Sequence, residues 1–144
     1  MTQSAKDVAE KSAKAMWSQD HATAWFGMQI DHVDEGSATL SMTVEKHHTN
    51  GHGSCHGGVI FALADSAFAF ACNSRNQTTV AQHNSITYVA PGKEGDRLIA
   101  KAREVSLTGR SGIYDVTVTT ESGTVIAEFR GGSRTIPGTV YEDT

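Results

Sequence analysis

Residues Val59 to Cys72 read VIFALADSAFAFAC, directly after the loop NGHGSCHGG from Asn50 to Gly58. The run is helix-length and nearly all apolar, and Asp65 sits in its middle. A helix apolar on almost every side has to be covered on most of them. An ionised carboxylate in an apolar packing site is costly unless it is paired or hydrogen-bonded, and such groups concentrate at functional sites. Gly57 and Gly58 stand where the helix should begin. The first N–H groups of a helix lack internal acceptors and carry positive partial charge. Glycines there let a ligand atom approach the backbone. The segment therefore offers an anion-stabilising end and an acid two turns later.

Patterns to either side predict the rest of the fold. Residues 4–25, with Val8, Met16 and Trp17 among Ala, Lys and Glu, predict one N-terminal helix or two short ones. Met28–Val33 reads as a strand, and Asp34-Glu35-Gly36 as a turn. From Ser37 to Val44 polar and apolar residues alternate strictly, so a half-buried strand closes a hairpin there. His47–Gly58 is loop by composition, and the helix is expected over Val59 to about Asn73. Val80–Ala90, Arg97–Leu107, Ile113–Thr119 and Val125–Arg134 read as strands. The last three have short connections and should form an antiparallel meander. The tail beyond Pro137 is polar. Segregated strands with one long helix make an α+β protein, with a curved antiparallel sheet wrapped around that helix and the whole chain, 1–144, as one domain.

Bulk properties exclude several classes. The chain has 144 residues, a net charge of −4 and 38% hydrophobic residues, ordinary for a globular domain. It lacks the basic field of a general nucleic-acid binder. No apolar run is long enough to cross a bilayer, and the first residues lack a secretory leader's apolar block. The expectation is a cytoplasmic protein with no nucleic-acid or membrane partner. Two cysteines, Cys55 and Cys72, make no disulfide framework. Four of the seven histidines fall within ten residues, His47, His48, His52 and His56. Their spacing, with Cys55, matches no zinc site, so no metal is expected. A Cys55–His56 nucleophile is disfavoured because sequence neighbours rarely face each other.

Helix geometry constrains any shared chemistry. Gly57 and Asp65 are eight residues apart, about 12 Å along a helix, whereas an oxyanion donor and a base must both come within about 3 Å of one reacting centre. Two antiparallel copies of the helix satisfy this, so the site should lie between the protomers of a two-fold dimer. A backbone N–H at a helix N-terminus suits a carbonyl oxygen gaining negative charge, and a nearby carboxylate can attack directly or activate water. With no serine elbow and no dinucleotide fingerprint, acyl transfer to water is the economical match, and the Asn50 amide can orient the water or the carbonyl.

The stretch NGHGSCHGGVIFALADSAFAFACNS (50–74), with VAPGKEGDRLIAKAREVSLTGRSGIYDVTV (89–118) downstream, resembles the hotdog-fold acyl-CoA thioesterases, and within them the phenylacetic acid degradation group. The likeness runs roughly from Trp25 to Arg134. His-Gly-Gly, followed by an acid eight residues after its first glycine, is the specific signal. The resemblance implies a hotdog fold, a dimer with a continuous sheet, often a dimer of dimers, and hydrolysis of aryl-acyl-CoA without a cofactor. It implies Asp65 as nucleophile or general base and Gly57 as backbone donor to the thioester oxygen. Gly58 is placed beside Gly57 in substrate binding, His56 supports the oxyanion site, and Asn50 contacts carbonyl or water. The serine or threonine that helps place the water in some relatives is replaced by Ala81 or Ala69 here, which leaves Gln82 as the candidate. Lys93, Arg110 and Arg134 are the candidates for the coenzyme phosphates. A hotdog hydratase or dehydratase, or a non-catalytic acyl-CoA-binding module, are the alternatives. The first pairs a His with an acid on a different pattern, and the second has no need for Asp65.

Overall fold

The computed structural model describes residues 2–143. Ser4 caps the first helix, α1 (Ala5–Trp17), through a reciprocal capping box with Asp7. A break at Ser18–Asp20 separates it from α2 (His21–Phe26), which Asp20 caps and Gly27 ends in the left-handed conformation. The N-terminal segment is thus two helices. β1 (Gln29–Asp34) and β2 (Ser37–Thr43) form the expected hairpin. The apolar side of β2 is buried as expected, with Ala38, Leu40 and Met42 and then Val44 just beyond it, while Ser41 on the polar side is buried too. A single 3-10 turn, Lys46–His48, leads into the histidine loop and then into α3 (Gly57–Cys72). Four strands follow: β3 (Thr79–Tyr88), β4 (Arg97–Thr108), β5 (Ser111–Thr120) and β6 (Val125–Thr135).

All six strands join one antiparallel sheet in the order β1-β2-β4-β5-β6-β3. The meander β4-β5-β6 is as expected, while β3 crosses over to the far edge beside β6. The sheet wraps around α3. Ile60, Leu63, Ala64, Ala67, Phe68 and Phe70 of α3 are buried together with Leu98, Ala100, Val116, Val118 and Phe129 of the strands. Contact is closest where the Phe68 ring crosses β6. A Cβ on Gly131 would lie 2.7 Å from that ring, so only glycine admits the helix at this distance.

One stripe of α3 stays uncovered. Gly58, Phe61, Ala62, Asp65, Ser66 and Ala69 are partly or fully exposed, and they recur at the three- and four-residue spacing of a single helical face. Beside this stripe runs β3, an edge strand with Val80 and Tyr88 both exposed. An unpaired edge next to a bare apolar stripe is a surface that a second chain can complete.

Past α3, Arg75 anchors the helix end to the sheet. Its guanidinium donates to Glu104 on β4 at 2.6 and 3.2 Å, and the Glu104 carboxylate also accepts from the buried Tyr114 hydroxyl at 2.9 Å. The hydrogen bond from Arg75 is the main reason the Glu104 carboxyl lies below the usual range, against some opposing desolvation. Glu104→Gln is expected to cost about 1–3 kcal/mol. Because the folded-state value is depressed, that contribution is present above the ordinary glutamate range and disappears as pH falls through the depressed value. Urea denaturation at neutral and acid pH measures both effects.

Candidate active site

The loop before α3 is held by its own polar groups. Asn50 Oδ1 accepts from the N–H of His52 at 2.9 Å and of Ser54 at 3.2 Å, and the Asn50 N–H donates to the Ser54 carbonyl at 2.8 Å. The Asn50 carbonyl oxygen is thus spent on the loop, and Nδ2 is the group left to face a ligand. The loop is tied down on two further sides. The Cys55 N–H donates to the Gly92 carbonyl at 2.7 Å, and the His56 N–H to the His48 carbonyl at 2.8 Å.

The helix starts at Gly57, two residues before the expected Val59, because His56 serves as its N-cap. The His56 Nδ1 accepts from the Gly58 N–H at 2.9 Å. The Gly58 N–H is thus engaged in the cap, and the glycine's missing side chain makes room for the imidazole, which a Cβ would meet at 3.1 Å. The Gly57 N–H, by contrast, has no acceptor among the described residues. It stands at the first helical position with the positive end of α3 behind it. The Tyr88 hydroxyl donates to the Gly57 carbonyl at 2.8 Å.

Asp65, the only charged side chain in α3, lies on the uncovered stripe. Asn84 of β3 donates through Nδ2 to its Oδ1 at 3.3 Å. Burial pushes the Asp65 carboxyl above the usual range, and the Asn84 hydrogen bond pulls in the opposite direction. A raised carboxyl is a stronger base once ionised. Asn84, not Gln82, is the side chain on the acid. The reason is a β-bulge between Ala81 and His83, which reverses the alternation of side chains along β3. Counting back from Ile86, which packs on the core, gives Asn84 the inward face.

Other candidates resolve differently. His48 is buried with Nδ1 accepting from the Glu45 N–H at 3.0 Å and its ring 4.0 Å from that of His47, while His52 is exposed. Among the described residues no group of three or more His, Cys, Asp or Glu side chains is placed to hold a metal ion. Burial pushes the Cys55 thiol up to about 11, which removes it as a nucleophile at neutral pH. Lys93 lies against the active-site loop through a bridge to Ser54. Arg110 and Arg134 are neighbours at the opposite end of the sheet, where the Thr135 N–H donates to the Arg110 carbonyl and Arg134 pairs with Val80. Within one protomer the three cations do not converge.

The thioesterase superfamily model matches residues 52–127. Acyl-coenzyme A thioesterase PaaI of Escherichia coli is 41% identical over 132 residues, covering 92% of this chain and 94% of that protein. The solved structure of the E. coli PaaI protein superposes with a TM-score of 0.93 at 40% identity, over 94% of this chain and 99% of that one. A Streptococcus mutans protein solved with acetyl CoA bound matches with a TM-score of 0.75 at 26% identity, over 78% of this chain and 90% of that one. No described helix is long and apolar enough to cross a membrane. The sheet wrapped on α3, the His-Gly-Gly helix start and these likenesses agree: the chain belongs to the thioesterase superfamily, as a hotdog-fold acyl-CoA thioesterase of the PaaI type.

Proposed function

We propose that this thioesterase hydrolyses aryl-acyl-CoA of the phenylacetyl or hydroxyphenylacetyl type to free acid and CoA, in cytoplasmic sites shared between two protomers. The observation that carries the reading is the free Gly57 N–H at one end of α3 and Asp65 about 12 Å along the same helix. Only a second copy brings such a donor to this carboxylate.

Pairing β3 edge to edge, antiparallel about a two-fold axis near Ile86, sets Asn84 beside Tyr88 of the partner subunit and Asp65 opposite Gly57 of the partner subunit. The stripe of α3 around Phe61, Asp65 and Ala69 then packs on its own copy. The same register brings Lys93 of one protomer alongside Arg110 and Arg134 of the other, a basic edge suited to the coenzyme phosphates. A dimer of dimers is the expected assembly.

In this site the thioester oxygen accepts from the Gly57 N–H, with the Asn50 Nδ2 and His56 near it. Asn84 holds Asp65 Oδ1 and leaves Oδ2 for chemistry. Asp65 removes a proton from water as the water oxygen attacks the carbonyl carbon, or attacks that carbon itself to give an anhydride that water then cleaves. Either way the C–S bond breaks and the CoA sulfur leaves with a proton. No metal or organic cofactor takes part. Phe61, one turn before Asp65 on the same stripe, supplies an aromatic wall that suits an aryl group.

Thiol release from a panel of acyl-CoAs, followed with a thiol-reactive dye, tests the reading. Phenylacetyl-CoA and its hydroxylated form should give the highest kcat/KM. Preference for a long aliphatic chain would refute the aryl assignment, and binding without thiol release would refute hydrolysis. Asn84→Leu removes the donation that lowers the Asp65 carboxyl. The acid limb of its kcat/KM profile should therefore move to higher pH, because more alkaline solution is needed to ionise the base.

A further inference from the structure

The free Gly57 N–H works only if the first turn of α3 is held still, and helix first turns fray. Tyr88, the last residue of β3, supplies the hold from outside the helix. Its hydroxyl donates to the Gly57 carbonyl at 2.8 Å. Its ring covers the glycine so closely that a Cβ there would meet Cζ at 3.1 Å and the hydroxyl oxygen at 3.2 Å. The peptide unit between Gly57 and Gly58 is thereby bonded at both ends. Its C=O accepts from Tyr88, and its N–H donates to His56 Nδ1 at 2.9 Å. Hydrogen bonds in series through one peptide polarise one another. Because Nδ1 is an acceptor, the neutral His56 ring carries its proton on Nε2, and that ring is solvent-exposed at the mouth of the site.

We propose that Tyr88 is a positioning residue for thioester hydrolysis: by holding the Gly57 carbonyl it fixes the glycine whose own N–H is free, and through the Gly57–Gly58 peptide it fixes the His56 tautomer that presents Nε2–H as a second donor to the substrate oxygen. This rests on the thioesterase reading, and it adds a residue that neither the helix motif nor the acid reveals. Tyr88 also ties the donor to β3, so the edge strand that meets the partner orients the group the partner's Asp65 uses.

Tyr88→Phe removes one oxygen and keeps the ring over Gly57. The expected result is a fall in kcat of about five- to tenfold, the worth of one neutral hydrogen bond, with KM for the acyl-CoA unchanged. Nitrogen-15 NMR of histidine-labelled protein should show His56 in the Nε2–H form in the parent. In the variant it should show a mixture of the Nδ1–H and Nε2–H forms. Unchanged kcat, or a parent His56 already in the Nδ1–H form, overturns the proposal. So does a fall in kcat tracked by an equal rise in KM and a lower unfolding temperature, which is what a merely structural tyrosine would give. The NMR result is read without substrate. A protein that releases no thiol would sink the thioesterase reading while the His56 tautomer still reported on Tyr88.

Discussion

Asp65→Asn should lower kcat for thioester hydrolysis by about a thousandfold, within the ~10²–10⁴ expected for loss of a positioned base, and should raise the unfolding temperature in the same protein. The two effects share one cause. The carboxylate sits on an otherwise apolar helix, and burial pushes it above the usual range. An acid whose folded value exceeds its unfolded value is held against its preference once the solution is neutral. That penalty is absent below the ordinary aspartate range, grows as pH rises through the raised value, and is then constant. The neutral amide does not carry it, and its oxygen still accepts from Asn84. The stabilisation should therefore appear at pH 7 and vanish near pH 3, as read by thermal denaturation at both. Substrate affinity should persist, because the substitution leaves the Gly57 N–H and the proposed basic edge untouched. Near-parent turnover would remove Asp65 from the chemistry. Lost activity with lost stability at neutral pH would make it a structural acid.

The sequence showed most clearly what has a local cause. The period of β2 and the nearly all-apolar run of α3 each follow from residues close in the chain, and those elements form as expected. Asp65 was conspicuous for the same reason, as one charge among apolar neighbours. Non-local features were hidden. That β3 pairs with β6 and not with the next strand depends on contacts distant in sequence. The Tyr88–Gly57 bond spans 31 residues and leaves no local signature. Asn84 was missed for the same reason, because its contact with Asp65 spans 19 residues. The glycines were placed at the start of α3, but its cap was not legible, because a histidine ring is an uncommon N-cap beside Ser, Thr, Asp or Asn. That the His56 ring takes the Gly58 N–H was likewise not legible, because nothing in the residue order shows which way the ring turns.

Gly57→Pro tests the other half of the proposed chemistry, because proline deletes the N–H that glycine offers. Gly57 is the first residue of α3, where proline is well tolerated. His56 before it has φ −59° and ψ 135°, the extended conformation a following proline demands. The N–H it loses has no acceptor among the described residues, so they forfeit no hydrogen bond. The proper reference is Gly57→Ala, which sets the same Cβ against the Tyr88 ring at 3.1 Å while keeping the donor. The proline variant should be about 10²–10³ slower in kcat than the alanine variant, the range for removal of one oxyanion donor. Equal rates would show that another group binds the oxygen. A mixture then decides where donor and base reside. Chains carrying Asp65→Asn, refolded together with an equal amount of chains carrying Gly57→Pro, give roughly half mixed dimers if pairing is random. In each mixed dimer one site joins both defects, and the other joins an intact Asp65 to an intact Gly57 from the opposite chain. About a quarter of parent activity should return from two nearly inactive proteins, since roughly half of the dimers hold one working site of two. If donor and base came from the same chain, every site would carry one defect and nothing would return.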